Sequence, residues 1–243
     1  MRTATQRAEF EAFAEQLPAS APLIADDSVD VVISNCVLNL LADSEKQRIF
    51  SEMYRVVKRG GRVAISDVVC DEDVPPEMKK DPNLWSGCVA GAMREDRFLE
   101  SFERAGFYGI QIARYAEAPW QTIRGIQFRS ITVTGRKGKE GPCLERYQAV
   151  IYKGPWEQVR DDDGHVLRRG QRMAVCDKTY KILTAPPYAD DIIPVPPARQ
   201  PLSKARPFGC KVAAVRDPRE TKGKRYRKTV PPTASVCGPE GCC

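Results

Sequence analysis

The sequence predicts an open α/β sheet followed by a small β-rich appendage and a disordered basic tail. Three observations predict it. Two strand-like runs, Val29-Asp30-Val31-Val32-Ile33 and Arg62-Val63-Ala64-Ile65-Ser66-Asp67, flank an amphipathic helical segment within residues 29–67, the spacing of a strand–helix–strand unit. From Ala149 the pattern changes to short strand-like runs around Asp163-Gly164, which is a hairpin signal. From Pro186 the chain is proline-rich and poor in large apolar residues, and residues 198–230 hold eleven Lys/Arg against Asp217 and Glu220. That composition cannot bury enough apolar surface to order itself.

Taken in order, residues 5–17 place Ala8, Ala12, Phe13 and Leu17 at helical spacing, ended near Pro18. The run at 29–34 is too apolar for a half-exposed strand and reads as one covered on both faces of a parallel sheet. Ser44 with Gln47 three residues on forms a capping box for a helix over about residues 45–58. Its apolar face is Ile49, Phe50, Met53, Tyr54 and Val57, and Gly60-Gly61 stops it. The strand at 62–67 follows. Beyond a proline-broken stretch, MREDRFLESFERAGF sets Phe98, Leu99, Phe102 and Ala105 on one helical side, with Gly106 as its stop. Residues 110–115 and 127–134 alternate as strands and are joined too briefly for a crossover helix, so they predict an antiparallel hairpin at a sheet edge. The segments AVIYKG, WEQVRDDDGHVLRRGQRMAVC and TYKILT read as short strands, with His165 a hairpin residue beside the turn. The expected divisions are residues 1–135, 136–185 and 186–243.

The bulk numbers narrow the function classes. At 243 residues and 42% apolar content the chain can bury a core. No run of about 18 uncharged apolar residues and no basic-then-apolar leader is present, so a cytoplasmic chain without a membrane span is expected. The net charge of +6 resides in the tail, leaving residues 1–197 at −2, so a body that grips nucleic acid is not expected. The tail itself is read as solvated. Nine cysteines, an odd number without framework spacing, point to free thiols, ligands or catalytic groups rather than structural disulfides.

In open α/β sheets ligands bind beyond the carboxyl ends of the strands, and Cys36 follows the first strand there. Cys88 lies in a second small-residue motif, SGCVAGAM. Asp67 reads as a loop cap, and Trp85 and Trp120 as core. Cys70, Cys143, Cys176 and Cys210 carry no motif and read as packed thiols, since free cysteine behaves as a small hydrophobe. The spacing of Cys237, Cys242 and Cys243 matches no zinc pattern; a mobile thiol relay or a soft-metal trap is the alternative there.

The strand VDVVIS, the helix ending RVVKRGGR, the strand VAISDVV and the helix ending AGF resemble the C-terminal half of a class I S-adenosylmethionine (SAM)-dependent methyltransferase, whose sheet is Rossmann-like. SNCVLNLL at 34–41 and SGCVAGAM at 86–93, followed by AVIYKGPW and DDDGHVLRRGQRMAVCDKTY, resemble the arsenite methyltransferases over roughly residues 10–185. The resemblance implies methylation of trivalent arsenic by SAM. Arsenite or its thiol conjugates would be the small-molecule substrate, glutathione or thioredoxin the reductant, and the protein a monomer. It implies Cys36 and Cys88 as the catalytic arsenic ligands, in keeping with the affinity of soft ions for thiolates. Asn35, Glu15 and Ala14 would face SAM. The chain departs from the family in having no glycine-rich turn; no glycine precedes Gly60. It therefore resembles an enzyme lacking the first three strands of a seven-stranded sheet and is expected to be inactive alone. Two alternatives are a non-catalytic thiol binder of As(III) or another soft ion, and a methyltransferase for quinone or sterol carbons, which needs no paired cysteine motifs.

Overall fold

The computed structural model describes residues 5–6, 8–10, 12–13, 22–198, 201–210 and 214–227. Two compact units are present, Met1–Lys139 and Glu140–Cys243. The described residues between Thr5 and Phe13 are helical, as the periodicity predicts; Ala14, Glu15 and Leu17 lie outside the described residues.

In the first unit, strand β1 (Val29–Asn35), helix α1 (Asp43–Val56) and strand β2 (Val57–Cys70) form the predicted parallel unit, in register from Val31↔Arg62 to Asn35↔Ser66. Strands β4 (Tyr108–Tyr115) and β6 (Ile126–Arg136) form the antiparallel pair. β6 lies inside the sheet, antiparallel to β2 over nine residue pairs from Arg62↔Arg136 to Cys70↔Phe128. The order is β1-β2-β6-β4, with short strands β3 (Met93–Arg94) on β2 and β5 (Gln121–Ile123) on β6.

The core follows from helix periodicity. α1 buries Phe50, Met53 and Val56, and helix α4 (Glu95–Ala105), which follows the short helices α2 (Pro76–Lys79) and α3 (Pro82–Ser86), buries Phe98 and Phe102. Three and four residues apart, such side chains share one helix face. Their rings meet edge to face: Phe50 and Phe102 at 4.9 Å between centroids, Phe98 and Phe102 at 5.6 Å, and Phe102 and Phe107 at 6.1 Å. Gly106 ends α4 with φ +100°, a left-handed cap that glycine adopts without cost. The buried ammonium of Lys137 donates to the Tyr54 carbonyl and pairs with Asp27, both at 2.7 Å.

Four local expectations are corrected in this unit. The Ser44/Gln47 capping box does not form: α1 begins at Asp43 with Ala42 as its extended N-cap, so Ser44 lies inside the first turn, where the Asp43 carboxylate pairs with the ammonium groups of Lys46 at 2.6 Å and Lys79 at 2.5 Å. The helix ends at Val56, before Gly60-Gly61, since Val57 already pairs with Val29. β1 is not covered on both faces. It is the sheet edge among the described residues, with Ile33 77% exposed and Val31 38% exposed. Trp120, expected in the core, is 55% exposed.

The second unit holds strands β7 (Leu144–Glu145), β8 (Ala149–Tyr152), β9 (Gln158–Arg160), β10 (Val166–Arg168) and β11 (Arg172–Ala174). β9 and β10 form the expected hairpin around Asp163-Gly164, and the His165 ring meets the Asp161 carboxylate at 2.8 Å. TYKILT is a helix rather than a strand: helix α5 (Asp177–Leu183) packs Thr179 and Leu183 inward, four residues apart on one face. A tail disordered from Pro186 is also corrected for its described part. Strand β12 (Ile192–Val195) completes the sheet β11-β8-β12, and β13 (Arg206–Pro207) pairs with β7. The reason is electrostatic as well as apolar. Arg216, counted from sequence as one of a solvated run, is 6% exposed and grips Glu145 with two bonds of 2.8 and 2.9 Å.

Two substitutions test this description of the first unit. Phe102→Ala, which removes the ring at the centre of the cluster, is expected to destabilise by about 3–5 kcal/mol. Ile33→Ala, on the open edge, should cost less than about 1 kcal/mol. Urea unfolding followed by circular dichroism reads both.

Candidate functional site

The site lies where β1 and β2 end. Cys36 directly follows β1, is exposed, and has φ +52°. Its N–H donates to the Ser66 carbonyl at 2.9 Å, so the turn remains attached to β2. The chain then enters a short 3-10 turn, Leu38–Leu40, whose first N–H donates to Asp67 at 2.9 Å. Asp67 also accepts from the Val68 N–H at 2.8 Å and is 1% exposed. It is a loop cap, as its sheet-end position suggests, though it caps the loop after β1 as well as its own.

Cys88 reaches the same region from another direction. α3 ends at Gly87, and Cys88 takes the left-handed conformation, φ +58°, while Val89 and Ala90 both donate back to the Leu84 carbonyl. This is helix termination of the kind usually given to glycine. A left-handed conformation costs a residue with a side chain about 1–2 kcal/mol. Both cysteines singled out by motif carry that strain, which tends to be kept where function requires it.

Three residues lock the two loops together. Asn39, 2% exposed, donates its side-chain amide to the Val68 carbonyl at 2.6 Å and to the Cys88 carbonyl at 3.1 Å. Lys46, 3% exposed, donates to the Gly91 carbonyl at 2.6 Å. Gly91 packs so closely on the backbone of residue 39 that a Cβ there would lie 2.0 Å from the Asn39 carbonyl oxygen. None of the three stands out in the sequence. Asn39 sits in an apolar run, Lys46 on what reads as a polar helix face, and Gly91 among other small residues; only the small-residue composition of SGCVAGAM signals a close approach.

Electrostatics ties the thiols together as well. Burial raises the Cys36 thiol above its ordinary value, and the Asp67 carboxylate raises it further. Cys88 is raised first by burial, then by Asp67 and by Cys36 itself. The charge of one carboxylate, Asp67, thus acts on both thiols in the same direction. Asp67 is in turn raised, chiefly by its burial, against the opposing hydrogen bonds from Val68, Leu38 and Asn39 and the charge of Lys46. Asn35, predicted to face SAM, closes β1 opposite Ser66 and is exposed; Ala14 and Glu15 lie outside the described residues. Cys70 is a packed thiol as expected, 1% exposed and pushed up to about 12 by burial.

An antiparallel strand, β6, lies between β2 and the edge strand β4, an arrangement consistent with a class I methyltransferase fold. The family described as "Methyltransferase domain" matches residues 3–106, and a domain of unknown function matches residues 139–226. Among curated proteins the chain is similar to several arsenite methyltransferases. It is 45% identical to an arsenite methyltransferase of Halobacterium salinarum over 121 residues, covering 47% of this chain and 30% of that protein. It is 33% identical to an arsenite methyltransferase of Aquipseudomonas alcaligenes over 174 residues, covering 66% of this chain and 49% of that protein. The solved arsenic(III) S-adenosylmethionine methyltransferase of Chlamydomonas reinhardtii aligns at 25% identity with a TM-score of 0.49, covering 84% of this chain and 66% of that one. The chain thus spans half or less of the length of the two curated relatives.

The close approach at Gly91 and the field at Asp67 each make a checkable statement. Gly91→Ala is expected to push the loop bearing Cys88 off Asn39 and to destabilise the first unit by about 1–3 kcal/mol, read as a lowered Tm. Asp67→Asn removes a negative charge that raises both thiols, so each pKa falls and more thiolate is present at any given pH. Iodoacetamide should then label Cys36 and Cys88 faster at pH 8 than in the wild type, whereas slower labelling would contradict the assignment.

Proposed function

We propose that this chain supplies the acceptor side of arsenite methylation, with Cys36 and Cys88 together holding trivalent arsenic for methylation by SAM. One observation carries the reading: two cysteines from separate motifs, each held in a left-handed turn, sit on loops locked by Asn39 under the field of one carboxylate. The sulfur donor set suits a soft ion. Both thiols are raised, so they meet arsenite in protonated form. Each As–O bond that breaks releases hydroxide, which takes the thiol proton and leaves as water, and an As–S bond forms. No separate general base is required, and Asp67, buried and fully engaged with backbone donors, is not one. Two As–S bonds from fixed loops orient the arsenic lone pair, and such positioning is what a displacement step needs from a protein.

SAM, when bound, supplies an electrophilic methyl carbon on a sulfonium centre. The residues present do not make up a full cradle for it: no glycine precedes Gly60, and at the end of β1 the polar group offered is the exposed Asn35. The 243 residues incubated with SAM, arsenite and glutathione should accordingly give no methylated arsenical. Product would overturn this division between acceptor and donor sides. A thiol reductant, glutathione or thioredoxin, fits the need to keep arsenic trivalent and the cysteines reduced. The same reading places the protein in the cytoplasm as a monomer; among the described residues no helix is long and apolar enough to cross a membrane.

Peptide-level alkylation tests the arsenic site. Arsenite is expected to protect Cys36 and Cys88 together, and Cys36→Ser should abolish protection of Cys88. Protection of Cys88 that survives in Cys36→Ser would refute a shared site. Loss of product in a longer, active protein carrying Cys36→Ser would separate an enzyme from a non-catalytic thiol binder, which has no product to lose.

A further inference from the structure

We infer that Cys143, Cys176 and Cys210 form a second, three-thiolate site in the C-terminal unit, and that its occupant is trivalent arsenic. The three sulfurs lie within 4.8 Å of one another. They come from segments more than thirty residues apart in sequence, so their meeting is a product of the fold. Packed thiols, the expectation from sequence, need apolar neighbours; they do not need each other.

The fold delivers each sulfur separately. β7 and β13 pair with Glu145 opposite Arg206 and Leu144 opposite Pro207, and the ladder is extended by the Phe208 N–H, which donates to the Cys143 carbonyl at 2.9 Å. This sets Cys143 at the end of one strand, with Cys210 two residues past its neighbour on the other. Cys176, fully buried, caps α5, its sulfur accepting from the Thr179 N–H at 3.4 Å and sharing a hydrogen bond with the Thr179 hydroxyl at 3.2 Å. Its flanking residues are fixed in turn: Gln148 donates to the Val175 carbonyl at 2.7 Å, and Arg146 pairs with Asp177 at 2.8 Å.

Hydrogen bonds among the three sulfurs shift the Cys176 and Cys210 thiols in opposite directions. Burial alone would raise the Cys176 thiol, but hydrogen bonds from Thr179 and from the Cys143 and Cys210 thiols outweigh it and lower the value. Cys210 is pushed up to about 12 by burial, and further by its hydrogen bond with Cys143 and the charge on Cys176. The three thiols are thus hydrogen-bonded to one another around Cys176. Thiolate–zinc bonds of about 2.3 Å place sulfurs about 3.8 Å apart, so a modest contraction lets the three close on an ion. Among the described residues no histidine or carboxylate joins the group. Tetrahedral zinc would lack a fourth protein ligand, whereas trivalent arsenic makes three bonds and fills the fourth direction with its lone pair. Binding balances without a redox step: three As–O bonds of arsenite break, three As–S bonds form, and three thiol protons leave with three hydroxides as water.

The choice of arsenic rests on the proposed function; the convergence of the thiols does not. The test uses the full chain with Cys36, Cys88, Cys237, Cys242 and Cys243 each replaced by serine, reduced and mixed with arsenite. One arsenic per chain after desalting, three sulfur neighbours by X-ray absorption, and protection of the Cys143, Cys176 and Cys210 peptides from alkylation are expected. Cys210→Ser or Cys143→Ser, each checked for native circular dichroism, should remove the three-sulfur signature. Absence of bound arsenic, three sulfur neighbours persisting in those variants, or a resident zinc that arsenite does not displace would each overturn the proposal. Protection at Cys143, Cys176 and Cys210 without protection at Cys36 and Cys88 in the unsubstituted chain would sink the proposed function and leave this site standing.

Discussion

The side-chain amide of Asn39 is the interaction on which the first site depends. Its two donated bonds join the turn after β1, the end of β2 and the loop after α3, three segments that no sheet ladder connects at that point. A buried amide left without partners costs roughly 1–3 kcal/mol, so the arrangement is favoured as a set: if the Cys88 loop moves away, one of the two bonds is lost. Gly91 makes the approach possible by having no Cβ, and Lys46 makes it polar by spending its buried ammonium on the Gly91 carbonyl. The docking of the Cys88 loop on the turn after β1 is a by-product of satisfying these groups.

Much of the fold was legible because its signals are periodic. The two parallel strands, α1, α4 with Gly106 and the antiparallel pair all follow from apolar spacing, and the structure reproduces them within a few residues. The misreadings have local causes. Ser44 offers a cap, but Asp43 between Lys46 and Lys79 starts the helix earlier. Leu183 and Thr179 face inward at a helical spacing too short to recognise beside the preceding strands. The tail misleads because charge was counted without partners; Arg216 is a buried cation held by Glu145 and Glu220. For β1, apolar composition signals burial on both faces, while the face that carries Val31 and Ile33 is exposed.

The candidate sites divide in the same way. Cys36 and Cys88 were visible as motifs, whereas the residues that position them were not, because an asparagine in an apolar run and a lysine on a helix carry no pattern. Cys143, Cys176 and Cys210 were invisible, since proximity created by three separate segments leaves no spacing to read. The two groups of thiols also differ in electrostatics. A buried carboxylate holds Cys36 and Cys88 towards the neutral form, while donors around Cys176 favour its thiolate. The thiols of one protein are thus shifted in opposite directions, with Asp67 raising Cys36 and Cys88 and Thr179 lowering Cys176.

Among the described residues no strand pairs with the outer side of β1, and this has a colloidal consequence. A strand paired on only one side presents a row of free backbone donors and acceptors, and natural proteins blunt such edges with charge, proline or a covering segment. β1 has Asp30 near its start, and from there Val31, Val32 and Ile33 follow without proline or charge. Uncovered, this edge is a template for strand addition, so dissolved chains can nucleate on one another, and the rate rises with concentration and falls when Ile33 is made charged.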